Sequence, residues 1–198
     1  MVNTRALLLL ALVLCSGPTS VAQTDAPKAA VMELQESLIR SMRDTDSFDA
    51  RYRRLAAVMD ETFDMAHIAK LALGRHWRDL DSRQQAAFTA RLRELSIATF
   101  VNRFSGHVGA SFGPLIQKPM VRGGVVVESE LKGPKADPIL FSYQLHAVDG
   151  RWRIINIVVD GISDLALKRA EYNTVMEESG FVGLMNVLEQ QLAGKQSP

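Results

Sequence analysis

Residues 138–163 read PILFSYQLHAVDGRWRIINIVVDGIS, and this stretch decides how the chain folds. Two β-rich runs flank Asp149-Gly150, a dipeptide typical of a two-residue hairpin turn, because both central positions of that turn take positive φ. Counting outward from the turn pairs the two strands residue by residue. The predicted pairs are Val148 with Arg151, Ala147 with Trp152, Leu145 with Ile154, Tyr143 with Asn156 and Phe141 with Val158.

This register gives the hairpin one mostly apolar face, because cross-strand partners share a face and side chains alternate along each strand. The face is predicted to carry Phe141, Tyr143, Leu145, Ala147, Trp152, Ile154, Asn156 and Val158. We expect it to be covered, either by helices of the same chain or by an apolar ligand. Tyr143 and Asn156 form its polar-capable pair, expected to bond to each other or to lie near a ligand's polar end.

The N-terminal segment has the pattern of a cleaved signal peptide, residues 1–22. Arg5 precedes an apolar run, and Ser20-Val21-Ala22 places small residues where signal peptidase cleaves. A retained membrane anchor is disfavoured because the run is short, and a lipoprotein is disfavoured because the bulky Leu14 precedes Cys15. Residues 23–198 are then predicted to form a single cysteine-free domain that depends on an ordinary apolar core.

Charge composition argues against a nucleic-acid-binding protein. The chain has 23 Lys and Arg residues against 22 Asp and Glu residues, whereas nucleic-acid binders normally show a basic excess.

Apolar residues at helical spacing predict a helical front half. The first helix is predicted from Val31, after a linker at 25–30, and the second begins at Phe48. A third begins near Phe63 and ends at Gly74, a residue suited to the position just after a helix.

A longer helix follows, and then a region rich in strands. Ser82 and Gln85 have the spacing of a capping box for the long helix. Strands are predicted over residues 112–120 and 121–131, ahead of the hairpin. Ser163 is predicted to cap a further helix, and Gly180 separates it from the last one. The fold class is therefore α+β, with an antiparallel sheet of about four strands packed against N-terminal and C-terminal helices.

No catalytic template fits the sequence. The predicted mature chain has no thiol, and Ser163 lacks the second glycine of a nucleophile elbow. The four histidines, His67, His76, His107 and His146, each lack a second ligand at helical or strand spacing, so no metal site is predicted. With no glycine-rich phosphate loop either, we expect a protein that is not an enzyme and needs no cofactor.

Four segments, in this order, resemble the MlaC family of periplasmic lipid-binding proteins, also called toluene-tolerance auxiliary proteins. The segments are Leu71 to Arg78 with Gln85, Phe88 and Leu92, then Asp149 to Ile154, Val159 to Ser163 and Gly180 to Leu184. The resemblance spans about residues 55–188. The segment from Leu95 to Phe100 is similar to the hopanoid-associated HpnM branch.

The resemblance implies a periplasmic shuttle that carries phospholipid, or a hopanoid-type lipid, between the inner and outer membranes. It also implies transient contact with an inner-membrane ABC transporter complex and with an outer-membrane lipoprotein or porin complex, in a system that maintains outer-membrane lipid asymmetry. Family members hold acyl chains in an apolar pocket between sheet and helices.

The lining of such a pocket is predicted here from side-chain facing rather than from a family motif. It comprises Phe88, Leu92, Phe100, Val125, Val127, Phe141, Tyr143, Leu145, Ile154, Asn156 and Val158. The alternative is an envelope adaptor that binds no lipid and whose aromatic face is simply a filled core. The discriminating feature is packing beneath the hairpin, where a void of acyl-chain width favours carriage and interdigitated aromatic rings favour the adaptor.

Overall fold

A computed structural model describes residues 26–43, 45–121, 123–134 and 137–196, so the predicted signal peptide lies outside the described residues. The described helices are α1 (Ala26–Arg43), α2 (Phe48–Thr62), α3 (Met65–Leu73), α4 (Ser82–Arg103) and α5 (Asp164–Gln196), with a 3-10 helix at Gly74–Asp79. The described strands are β1 (Ser111–Phe112), β2 (Ile116–Pro119), β3 (Val125–Lys132), β4 (Ile139–Val148), β5 (Arg151–Val159) and β6 (Ile162–Ser163).

The α+β prediction is confirmed, with a six-stranded antiparallel sheet in the described chain rather than about four strands. The predicted strand 112–120 divides into β1 and β2, which pair one after the other with the same edge of β3. Their connection stays close to β3 because the Gly113 N–H donates to the Glu130 carbonyl and the Ser129 hydroxyl donates to the Gly113 carbonyl.

The helices cover the sheet with the apolar stripes that the sequence predicts. In α1, Val31, Leu34, Leu38 and Met42 are buried. The helix itself begins at Ala26, so the linker predicted at 25–30 is wrong over its described residues.

Among the described residues, no helix is both long enough and apolar enough to cross a bilayer.

Local signals identify several helix ends correctly. Gly74 follows α3 with φ of 55°, and the Ser163 hydroxyl accepts from the Ala166 N–H at the start of α5. Gly180 interrupts α5 with φ of 64°, which kinks the helix where a break was predicted.

The capping box of α4 is shifted by one residue from its predicted position. Asp81 and Gln84 form it reciprocally, because Ser82 already lies inside the helix. The Gln85 amide donates instead to the carbonyls of Trp77 and Leu80, which ties the 3-10 helix to α4.

The hairpin follows its predicted register near the turn and departs from it farther away. Asp149 and Gly150 have φ of 50° and 74°, and the pairs from Val148–Arg151 to Leu145–Ile154 are as predicted. A β-bulge then adds one residue to β5, between the Leu145–Ile154 and Gln144–Asn156 pairs.

The bulge makes two predicted pairs wrong. Tyr143 pairs with Ile157 rather than Asn156, and Phe141 pairs with Val159 rather than Val158. One extra residue reverses the facing of everything beyond it, since side chains alternate along a strand. Ile157 and Val159 therefore join the aromatic face, whereas Asn156 and Val158 share the face of Gln144 and Ser142.

Candidate functional site

A cavity of about 450 Å³ opens at the end of the sheet farthest from the Asp149-Gly150 turn; we call it the distal cavity. Its wall comes from the end of α4, the loop after it, and the ends of β3, β4 and β5. The apolar lining residues are Phe104, Val108, Ala110, Leu131, Pro134, Ile139, Phe141 and Val159. This volume lies within the range typical of small-molecule sites.

The distal cavity combines an apolar floor with a polar rim. Phe104, Ala110 and Phe141 are buried, whereas Arg103, His107 and Asp137 line the opening and are exposed. A molecule with an apolar part and an ionic part could therefore bury the first and leave the second in water.

A second, more open cavity of about 830 Å³ lies between α1 and residues 111–115; we call it the α1 groove. Met32, Ile39, Phe112 and Leu115 supply its apolar contacts. Its remaining side chains are mostly charged or polar and include Lys28, Glu36, Arg40 and Arg43.

One aromatic pair separates the two cavities. Phe112 lines the α1 groove, Phe141 lines the distal cavity, and their rings meet edge to face with centroids 5.6 Å apart.

Further rings continue from this pair into the core. Phe141 lies against Phe104 and Tyr143, Phe104 stacks on Phe100 at 5.8 Å, and Phe100 meets Phe63 edge to face. This aromatic row runs from the distal cavity along the helix–sheet interface.

Tyr143 ends one branch of the row as a fully buried polar side chain. Its hydroxyl accepts a hydrogen bond of 3.2 Å from the Gln35 amide of α1. Burial raises the pKa of the Tyr143 phenol above its ordinary value, with the Gln35 hydrogen bond acting in the opposite direction. Gln35 also lines the α1 groove, so this bond links the groove to the core.

Asn156 does not meet Tyr143, so the predicted polar pair is wrong. Its Oδ1 accepts from the Ser163 hydroxyl and from the Leu165 N–H, and its Nδ2 donates to Gln144 Oε1. The bulge in β5 turns Asn156 toward the start of α5, where it acts as a helix-capping side chain.

Asn156→Ala is therefore expected to destabilise the protein by about 1–2 kcal/mol, because the Leu165 N–H loses its acceptor. Urea unfolding measures this change. Asn156→Asp keeps an oxygen at the capping position and should lie closer to the wild type. An alanine variant as stable as the wild type would contradict the capping role.

The structure distributes the predicted lining residues among four places. Phe141 lines the distal cavity, while Phe100 and Asn156 border a small cavity of about 30 Å³ between α3, α4 and β5. Val158 is half-buried on the opposite face of the sheet. The rest lie in the packed core, namely Phe88, Leu92, Val125, Val127, Tyr143, Leu145 and Ile154.

Sequence reasoning missed most of the distal cavity because loops form much of its wall. The loop of residues 106–110 contains two glycines, and in the structure a Cβ at Gly109 would approach Pro134 Cγ to 2.9 Å. Its φ of 87° also favours glycine. The backbone at Gly109 therefore packs closely against Pro134.

Two comparisons with known proteins match this chain over most of its length. Residues 30–190 match the family model described as MlaC protein. A similar solved structure is a phospholipid-binding protein from Ralstonia solanacearum in complex with a phospholipid. It is 18% identical, with a TM-score of 0.75, and the alignment covers 87% of this chain and 99% of that one. At this identity the structural likeness shows the fold.

Proposed function

Because the chain belongs to the MlaC family, we propose that it is a periplasmic lipid-binding protein that carries phospholipid or a hopanoid-type lipid. It acts as the soluble component of an ABC-type transport system between the inner and outer membranes. Residues 1–22 serve as the cleaved signal peptide and residues 23–198 form the lipid-binding domain.

The observation that carries this proposal is the pair of neighbouring cavities divided by Phe112 and Phe141. A lipid with two acyl chains fits such a divided space, with one chain in the distal cavity and the other in the α1 groove. Burying an acyl chain contributes about 0.8 kcal/mol per methylene group, so a carrier needs an apolar enclosure of this kind to compete with a membrane.

The polar residues at the two openings suit the polar end of a lipid. Arg103 and His107 border the distal cavity, and Arg40 and Arg43 border the α1 groove. Arginine recognises phosphate through paired N–H donors. The Ralstonia protein, with the same fold, binds a phospholipid, which supports this class of cargo.

Carriage of this kind requires binding and release without a change in covalent bonds. The protein would make transient contact with the inner-membrane ABC transporter complex and with an outer-membrane lipoprotein or porin complex. The protein is accordingly proposed to act without catalysis.

One observation favours the adaptor as a second candidate. Beneath the half of the hairpin nearest the turn, Val127, Leu145 and Ile154 are fully buried in a closed core. An adaptor would keep that core closed and use the molecule's outer surfaces alone.

Lipid content distinguishes the two candidates. Protein purified without detergent should carry one lipid in native mass spectrometry, and delipidated protein should extract labelled phospholipid from vesicles. Vesicles with and without hopanoid show which cargo is preferred. Lipid-free protein that also extracts nothing from either vesicle would leave the adaptor as the function.

A further inference from the structure

Three metal-ligating side chains meet on the side of the sheet away from both cavities. Asp64 precedes α3, His67 lies in its first turn, and His146 projects from β4. One ligand atom from each residue lies within 4.8 Å of the other two. Asp64 and His146 are 82 positions apart in the chain, so the fold creates this cluster.

Two hydrogen bonds orient the Asp64 carboxylate, so that one of its oxygens caps α3 and the other points at His146. Asp64 Oδ1 accepts from the His67 N–H at 2.8 Å, which fixes the carboxylate as the cap of α3. Asp64 Oδ2 is thereby directed at His146 Nε2, 2.9 Å away. The rings of His67 and His146 are tilted against each other with centroids 4.6 Å apart.

We propose that Asp64, His67 and His146 form a binding site for a divalent first-row transition ion of the zinc type. Two imidazole nitrogens and one carboxylate oxygen are ligands that zinc accepts at about 2.0–2.2 Å, with water completing the coordination. Because ligands around such an ion are farther apart than hydrogen-bonded atoms, Asp64 and His146 separate slightly as the ion replaces the bond between them.

The surroundings permit an ion to reach the site from solvent. The side chains of His146 and Asp64 are 25% and 18% exposed, so the cluster is partly shielded but open. Two cations lie nearby and oppose binding: Lys70, on the next turn of α3, and Arg153, the cross-strand partner of His146.

The Arg153 guanidinium is turned toward the end of α2. Its Nη1 donates to the carbonyls of Asp60, Glu61 and Phe63, which hold its charge against the helix terminus. The Asp64 carboxylate remains as the anionic ligand of the cluster.

An ion at this site would tie α3 to the sheet. The link lies beside the bridge between Phe63 and Ile154, where the Asp64 N–H donates to the Ile154 carbonyl. The three ligands line neither the distal cavity nor the α1 groove. The inference is therefore independent of the lipid proposal, and its expected effect is metal-dependent stability.

The test uses protein without a polyhistidine tag, stripped with a chelator and titrated with Zn²⁺ by calorimetry and with Co²⁺ by visible absorption. The wild type should bind one ion per chain and show a higher melting temperature with Zn²⁺. His67→Gln and His146→Gln should each lower the affinity on the order of tenfold or more, since even an outer-shell partner typically contributes that much. His76→Gln is the matched control, because His76 lies outside the cluster.

Asp64→Asn keeps an oxygen to cap α3 while removing the carboxylate charge, and it should also weaken binding. Circular dichroism of each metal-free variant establishes that it folds; if His146→Gln does not, His67→Gln and Asp64→Asn decide the question. Absence of 1:1 binding by the wild type would overturn the proposal. So would equal affinity in the wild type, His67→Gln and Asp64→Asn.

Discussion

Ile139→Trp is expected to lower the affinity for lipid by more than about tenfold while leaving the protein folded. Ile139 is half-buried on β4, pairs with Leu131, and lines the distal cavity beside it. An indole at this position fills space that an acyl chain would use. Displacing only two methylene groups removes about 1.6 kcal/mol of apolar burial, which is more than tenfold in affinity.

The neighbouring residue supplies the control for this prediction. Leu140 is 42% exposed and faces the other side of the sheet, so Leu140→Trp adds the same ring outside the cavity. Native mass spectrometry and extraction of labelled phospholipid measure occupancy, and thermal melting measures folding. Equal occupancy in the two variants would remove the distal cavity from the proposed lipid site.

Phe88→Ala is expected to destabilise the protein by about 3–5 kcal/mol, the range for truncating a buried phenylalanine. Phe88 of α4 is fully buried and meets Tyr172 of α5 edge to face, with ring centroids 5.8 Å apart. This loss is a large fraction of the stability of an ordinary domain. Urea unfolding measures the free-energy change.

The same variant separates a core role from a lining role for Phe88. The fraction that remains folded should still extract lipid, because Phe88 lines neither the distal cavity nor the α1 groove. Val182→Ala, at a position 72% exposed, should change stability by no more than about 0.5 kcal/mol. A small loss of stability together with loss of lipid binding would place Phe88 in the lipid site instead.

Tryptophan substitutions deeper under the hairpin would test core packing rather than the cavity. Val127 and Leu145 are fully buried, so a tryptophan at either position would overpack the core and cost stability before it affected a ligand. Cavity-filling variants are informative only at positions that border open space, such as Ile139.

The aromatic row reconciles the closed core under the hairpin with the proposed lipid binding. Phe104, Phe112 and Phe141 border open space, while Tyr143 ends inside the core and is held by Gln35. An acyl chain longer than the distal cavity could advance only by displacing these rings. The predicted lining residues of the core would then contact lipid only after such a rearrangement.

The sequence by itself determined the features that depend on near neighbours in the chain. The turn at Asp149 and Gly150 follows from its dihedral requirement, and it aligns the strands as far as Leu145 and Ile154. Gly74 and Ser163 mark helix ends because capping involves backbone groups within one turn. The α+β class follows from the two hydrophobic periodicities.

Only the tertiary structure decided the features that bring distant segments together. The bulge in β5 lies next to Ile154, whose carbonyl accepts a hydrogen bond from the Asp64 N–H. No local sequence signal predicts this bulge. It turned Asn156 and Val158 away from the aromatic face. The distal cavity arises where loops meet strand ends, and the Asp64, His67 and His146 cluster arises where α3 meets β4. Side-chain alternation propagates a register only until an extra residue intervenes, and the spacing between remote segments is set by packing rather than by sequence distance.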